Sequence, residues 1–301
     1  MDEEITWLEV HVQVARTYTG QVESLLESQG ALAITLTDLA DTPVLEPGVG
    51  ETPLWPEVLV TGLFDSEVDV RDLSAVLSLA PGLESQNQVS FSGVQNRDWE
   101  RAWMDDFKPM KFGNEIWIIP AEQVAPEPEA LLIHLDPGLA FGTGTHPTTR
   151  LCLEWVDGQS LKAANVIDFG CGSGVLGIAA ALKGAEHVMC VDNDPQALVA
   201  ACDNAARNRV NRQIRTVDAS DFNAEASGGT ADVILANILA GTLVKLASEL
   251  CSVLKPGGQI ALSGVLQEQA EEVSKVYQQW LEDMKVIALD GWVLISGRRK
   301  E

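Results

Sequence analysis

Basic residues are scarce in this 301-residue chain: 20 Lys+Arg stand against 44 Asp+Glu, a formal net charge of −24. That balance excludes a broad grip on phosphate backbones, which needs a basic face, so no direct nucleic-acid binding is expected. It leaves two readings of the acidity, a basic partner or a solubilising surface. Cysteine is also sparse. The five (Cys152, Cys171, Cys190, Cys202 and Cys251) form no Cys-x-x-Cys pair and are odd in number, which speaks against a disulfide framework and a structural zinc site. No apolar run reaches the ~18 residues of a membrane span, and Met-Asp-Glu-Glu at the start has the wrong charge for a secretory leader. The expected location is therefore the cytoplasm. What is present is ordinary globular material, 46% apolar and 21% charged, long enough for about two domains.

The acidity is uneven. Residues 1–100 hold 18 Asp+Glu and 3 Lys+Arg, or −15 of the total, and such a shift suggests two units with different jobs. In the first, residues 8–14 alternate as a strand, Gly20–Gln29 has helical spacing and Ala31–Leu36 is a second strand. A Pro/Gly/Glu-rich stretch from Asp41 to Pro56 reads as a loop. Val58–Phe64 is a strand, Val68–Leu79 a helix and Val89–Val94 a strand. The order βαββαβ predicts a ferredoxin-like α+β domain over residues 1–95. Residues 96–110 form the connection, with Trp99, Trp103 and Phe107 four apart on a short helix. Over residues 111–301, Ile116–Ile119 and Leu131–Leu135 read as bordering strands. From Val166 onward short apolar strands alternate with helical segments, which predicts an α/β domain with a parallel, Rossmann-like sheet.

The strongest motif is Val166-Ile-Asp-Phe-Gly-Cys-Gly-Ser-Gly174. A buried strand runs into glycines at alternate positions with a helix directly behind, so Gly170 and Gly172 let backbone approach a ligand at the sheet's carboxyl edge. Asp168 puts a carboxylate at the strand's end, able to hold a cationic amino acid directly or through water. Val188-Met-Cys-Val-Asp192 is a second strand ending in an acid, the place of a carboxylate that accepts ribose hydroxyls. Asp194 reads as the cap of the helix opening at Pro195. The same glycines also fit G-x-G-x-x-G from Gly172 to Gly177, with Asp192 twenty residues on. A NAD-dependent dehydrogenase is the alternative reading at this point.

Two further segments separate the readings. Asp136-Pro-Gly-Leu-Ala-Phe-Gly-Thr-Gly-Thr-His-Pro-Thr-Thr149 precedes the nucleotide strand, and Ala236-Asn-Ile-Leu-Ala-Gly241 closes the fourth strand of the sheet. With these and the Trp-rich D-W-E-R-A-W-M-D-D-F linker, the chain resembles the class I S-adenosylmethionine-dependent methyltransferases. Within them it resembles, over nearly its whole length, the ribosomal protein L-eleven methyltransferase family of PrmA type. The D-x-G-x-G-x-G motif marks only the superfamily; F-G-T-G-T-H-P-T-T and A-N-I-L-A-G are more specific.

The resemblance implies S-adenosyl-L-methionine as cofactor. Gly170 and Gly172 would pass under its methionine portion, Asp192 would hold the ribose, and Thr149 would contact the methionine part. Asn237 occupies the place of the catalytic-loop asparagine. Many amino-methylating relatives carry N-P-P-Y there, and the lack of prolines and aromatic makes a planar acceptor less suitable. Asp218, after the third strand, is an open candidate for the adenine amino group. His146 is read as a structural hydrogen-bonder rather than a base, and Cys171 as a small residue, not a nucleophile. The implied substrate is a basic large-subunit ribosomal protein, free or ribosome-bound, methylated on lysine side chains and its N-terminal amine. The acidic first domain would capture it, the enzyme acting as a monomer away from membranes.

Overall fold

Alternation of period two turns one side of strand β1 (Ile5–Ala15) inward: Leu8, Val10, Val12 and Val14 are buried while Glu9, His11 and Gln13 face outward. It is joined by helix α1 (Thr19–Ser28), β2 (Ala33–Asp38), β3 (Glu57–Asp65), α2 (Val70–Leu77) and β4 (Val89–Gln95). The sheet order is β2-β3-β1-β4 with every neighbour antiparallel, which is the ferredoxin-like arrangement. Val22 and Leu26 of α1 and Leu73 and Leu77 of α2 close its core over Val10, Val12, Val60 and Phe64. Helix α2 begins later than the apolar spacing predicts because Asp69 caps it, accepting the Arg71 N–H at 2.8 Å.

The computed structural model describes residues 5–39, 55–83, 85–95, 109–119, 130–135, 146–224 and 228–301. The chain divides into two units, Met1–Trp99 and Glu100–Glu301. Residues 41–54 of the expected loop, the expected linker helix and residues 136–145 of the Thr/Gly-rich motif lie outside the described residues. Met110, placed in the connection by its sequence, already belongs to a strand.

The second unit opens with a three-stranded sheet of β5 (Met110–Phe112), β6 (Ile116–Ile119) and β7 (Leu131–His134), followed by α3 (Pro147–Asp157). Asp157, buried at the end of α3, accepts the Asn114 and Glu115 N–H groups at 2.6 and 3.0 Å and so holds the β5–β6 turn. Then come β8 (Asn165–Phe169), α4 (Val175–Leu182), β9 (His187–Asp192), α5 (Pro195–Arg207), β10 (Ile214–Asp218), β11 (Ala231–Asn237), α6 (Ala240–Val253), β12 (Leu254–Leu266), α7 (Ala270–Tyr277), β13 (Leu281–Leu289) and β14 (Trp292–Arg299). The large sheet runs β10-β9-β8-β11-β12-β14-β13. Its first five strands are parallel, and β14 enters antiparallel between β12 and β13. Near-continuous apolar strands such as Val233–Ala236 are buried on both faces, as a helix-covered parallel sheet requires. One core lies under α3, α4 and α5, the other under α6 and α7. Strand order reverses between β8 and β11, and ligands of open α/β sheets bind beyond the carboxyl ends at such a point.

Lys255-Pro-Gly-Gly258 has the composition of a turn leading into a strand. Instead β12 already pairs at Leu254 with Ala231, and the ladder resumes at Gln259 with Val233. The extra residues form an irregularity inside the strand, with Gly257 at φ +74°.

Candidate active site at the carboxyl edge of the sheet

Parallel register brings the predicted residues to one edge. Asp168 pairs with Cys190 and with Leu235, Asp192 with Asp218, and Asn237 with Ser263. The ends of β8, β9, β10 and β11 therefore deliver the glycine loop, Asp192, Asp218 and Asn237 to the same side. Thr149 is buried in the first turn of α3, and that helix packs against β11, β12 and β14.

The loop after β8 turns through positive φ at Gly170 (+71°), Gly172 (+52°) and Gly174 (+77°), a conformation that side chains disfavour. Gly170 and Cys171 donate their N–H groups to the Val191 carbonyl at 2.8 and 3.0 Å. Gly172 N–H donates to Asp192 Oδ2 at 2.9 Å, while Asp194 N–H donates to Oδ1 at 3.0 Å. Each oxygen of Asp192 thus keeps acceptor capacity beyond the bond that fixes it. Asp194 caps α5 by accepting the Gln196 N–H at 2.9 Å, the role its sequence position predicted.

Asp168 is fully buried. Its Oδ2 accepts the Gly177 N–H at 2.8 Å, and its Oδ1 has no hydrogen-bond partner among the described residues. Burial pushes this carboxyl up to about 7; the Gly177 bond opposes the rise and the Asp192 charge adds to it. A buried carboxylate oxygen without a donor costs free energy unless something cationic or protic meets it. Gly177 closes the arrangement from below, since a Cβ there would come within 2.7 Å of Cys190 Sγ.

Asn237, half-buried at the end of β11, makes no side-chain hydrogen bond among the described residues. Its carboxamide is held only by the strand. The next residue lies over the glycine loop: a Cβ on Gly170 would run into the Ile238 side chain. The direction in which a Gly170 side chain would project is therefore filled by this chain's own isoleucine, and the other side of its backbone is left for a ligand to approach.

His146 is a cap. Its Nδ1 accepts from the Thr148 hydroxyl at 2.7 Å and from the Thr148 N–H at 3.3 Å, and its ring meets Trp292 edge-on at 4.8 Å. The bond from the Thr148 N–H needs an unprotonated Nδ1, and burial lowers the histidine's pKa in the same direction. Burial pushes Cys152 up to about 12, which leaves it an inert thiol. Asp218 is half-buried and bonded to the Ser220 hydroxyl and N–H at 2.6 and 2.8 Å, which hold its pKa down.

Sequence reasoning missed Asn204. Buried on α5, it donates to the Ser173 carbonyl at 3.0 Å and so holds the glycine loop from behind. The signal was there, a polar residue beside the buried stripe Ala197, Ala201 and Ala205. Ile238 was quoted only as a motif letter.

This geometry fits a nucleoside bearing an amino acid. An acid at the end of β9 offers acceptors for two hydroxyls, a glycine loop offers backbone, and an unsatisfied buried carboxylate suits an ammonium group. The chain matches the family model of ribosomal protein L11 methyltransferase (PrmA) over residues 6–300. The chain belongs to this family. The ribosomal protein L11 methyltransferase of Pseudomonas paraeruginosa is 47% identical over 294 residues, covering 98% of this chain and 99% of that one. The enzyme of Marinobacter nauticus is 45% identical over 300 residues, with 98% and 99% covered. Among solved structures, the L11 methylase of Lactobacillus delbrueckii subsp. bulgaricus aligns with a TM-score of 0.58 at 30% identity, over 65% of this chain and all of that one. The PrmA-family chain is an S-adenosylmethionine-dependent protein methyltransferase, and the dehydrogenase alternative finds no support.

Proposed function

We propose that this enzyme methylates amines of ribosomal protein L11, at lysine side chains and at the N-terminal amine, as a monomer in the cytoplasm. The observation that carries the reading is the unengaged carboxamide of Asn237 at the strand end that shares its edge with Asp192 and the glycine loop.

Asp192 would hold the ribose hydroxyls, Gly170 and Gly172 would lie under the methionine portion with Thr149 beside it, and Asp168 would meet the amino group. When bound, S-adenosylmethionine supplies a methyl already activated by a positive sulfur, so the protein's part is positioning and desolvation. The acceptor must be a neutral amine. At neutral pH, deprotonating a lysine with reference pKa ~10.4 costs roughly 4–5 kcal/mol, against about 1 for an α-amine near ~7.8. A dry site lowers that cost for lysine. The Asn237 oxygen accepts an amine hydrogen and aims the lone pair, but takes no proton, so it orients rather than acts as a base. A carboxylate there would instead hold the amine as unreactive ammonium.

Residues 1–95 serve substrate capture in this proposal. Their charge suits a basic ribosomal protein, free or on the ribosome, and the contacts weaken as salt screens them. Incubating the purified chain with methyl-labelled S-adenosylmethionine and isolated L11 tests the reading. Label on lysines and the N-terminal amine supports it; label on no amine of L11 overturns it.

A further inference from the structure

We propose that Leu239 is the seat for the aliphatic stem of the acceptor lysine, and that it sets the preference for lysine over the N-terminal amine. The inference rests on the amine-methylation reading above.

Leu239 stands two residues beyond Asn237, at the corner where β11 gives way to α6. The residue is 57% exposed, while Ala236, Ala240 and Leu243 around the same corner are buried. A lone exposed leucine is ordinary on a protein surface. This one is distinguished by its mounting. Ile238 N–H donates to the Ser263 carbonyl at 3.2 Å, and the Leu239 carbonyl accepts from Thr242 and Leu243 N–H, each at 3.0 Å. Gly264, at φ +80°, backs onto the Ile238 peptide so closely that a Cβ there would lie 2.7 Å from its carbonyl carbon. The backbone on either side is thus fixed, and the exposure of Leu239 is built into the corner.

The segment that carries Leu239 has no charge of its own. From Val233 to Val244 the chain has no ionisable side chain, so nothing in this segment holds an approaching amine as its cation. An apolar seat beside Asn237 covers the methylene stem of a lysine and dries its ε-amine, favouring the neutral form. An N-terminal α-amine sits directly on backbone and has no such stem. Leu239 therefore acts on one class of acceptor and is indifferent to the other.

The test uses the full chain with L11, following methyl incorporation at lysines and at the N-terminal amine separately by mass spectrometry. Leu239→Ala is expected to lower kcat/KM at lysine about tenfold or more, chiefly through KM, and to change the α-amine by less than about threefold. Leu239→Met, still apolar and of similar reach, is expected to restore lysine. A second reading needs no turnover: with S-adenosylhomocysteine bound, Leu239→Ala is expected to weaken calorimetric binding of a lysine peptide by a similar factor. Equal losses at both amines, or no loss at lysine, overturn the assignment of Leu239 alone. A wild-type chain that methylates neither amine overturns the underlying reading and the inference with it.

Discussion

The Asp192 carboxylate is bonded to the neighbouring strand's glycine loop: its Oδ2 accepts the Gly172 N–H at 2.9 Å. One side chain thus shapes the loop and presents the remaining lone pairs outward. Asp192→Ala removes both functions. Calorimetry is expected to show at least a tenfold weaker dissociation constant for S-adenosylmethionine, consistent with about 1.5–3 kcal/mol for charged hydrogen bonds. An unchanged constant in a folded variant takes Asp192 out of the site.

Gly170→Val meets two obstacles at once, a φ of +71° and the Ile238 side chain. Since Ile238 adjoins Asn237, the substitution is expected to disturb both the glycine loop and the strand end that carries Asn237. Cofactor binding and methyl transfer are expected to be lost together while circular dichroism stays native. Adding Ile238→Ala relieves the collision but not the backbone strain, so the double variant is expected to recover only in part. Full binding by the single variant refutes the loop assignment.

Much of this edge was legible beforehand. Val166–Phe169 and Val188–Val191 are buried apolar runs closed by glycines and an acid, and a parallel sheet leaves few places for such strands to end. The βαββαβ order was legible for the same reason: alternation in β1 and β3 reports one buried face. The C-terminal pair was not. Strand β13 shows mostly exposed residues with no alternation to detect, as an edge strand paired on one side permits. The hold of Asn204 on Ser173 and the cover of Ile238 over Gly170 join residues 31 and 68 positions apart. No local pattern records such contacts.

Asn237→Ala is expected to slow methyl transfer by ~10²-fold in single-turnover measurements, with substrate-protein affinity much less affected. Asn237→Asp keeps the shape and adds a charge that retains the acceptor as ammonium, so it too is expected to be slow. Wild-type rates in both variants leave orientation by this residue without support.

Asp168 gives the enzyme a pH signature. Its folded value of about 7 lies above the ~3.9 of an unfolded aspartate, so between them the folded chain keeps a proton the unfolded chain has lost. This contribution to stability is complete below pH ~3.9 and is lost as pH rises toward 7. Thermal melts of the cofactor-free protein from pH 5 to 8 should show that loss, and Asp168→Asn should remove it. Cofactor affinity should run the opposite way, strengthening up to pH ~7 as the carboxyl ionises, with proton release on binding below that. An affinity flat across this range argues against a contact between Asp168 and the cofactor's ammonium.

The insertion of β14 between β12 and β13 has a consequence for synthesis. Strand β14 follows every other strand of this sheet in chain order yet is an interior one, and its Trp292 also backs the His146 cap at the start of α3. Until residues 292–299 leave the ribosome, β12 lacks one neighbour and β13 has no place in the sheet. A new copy can therefore complete the sheet that carries its active-site edge only after β14 has emerged.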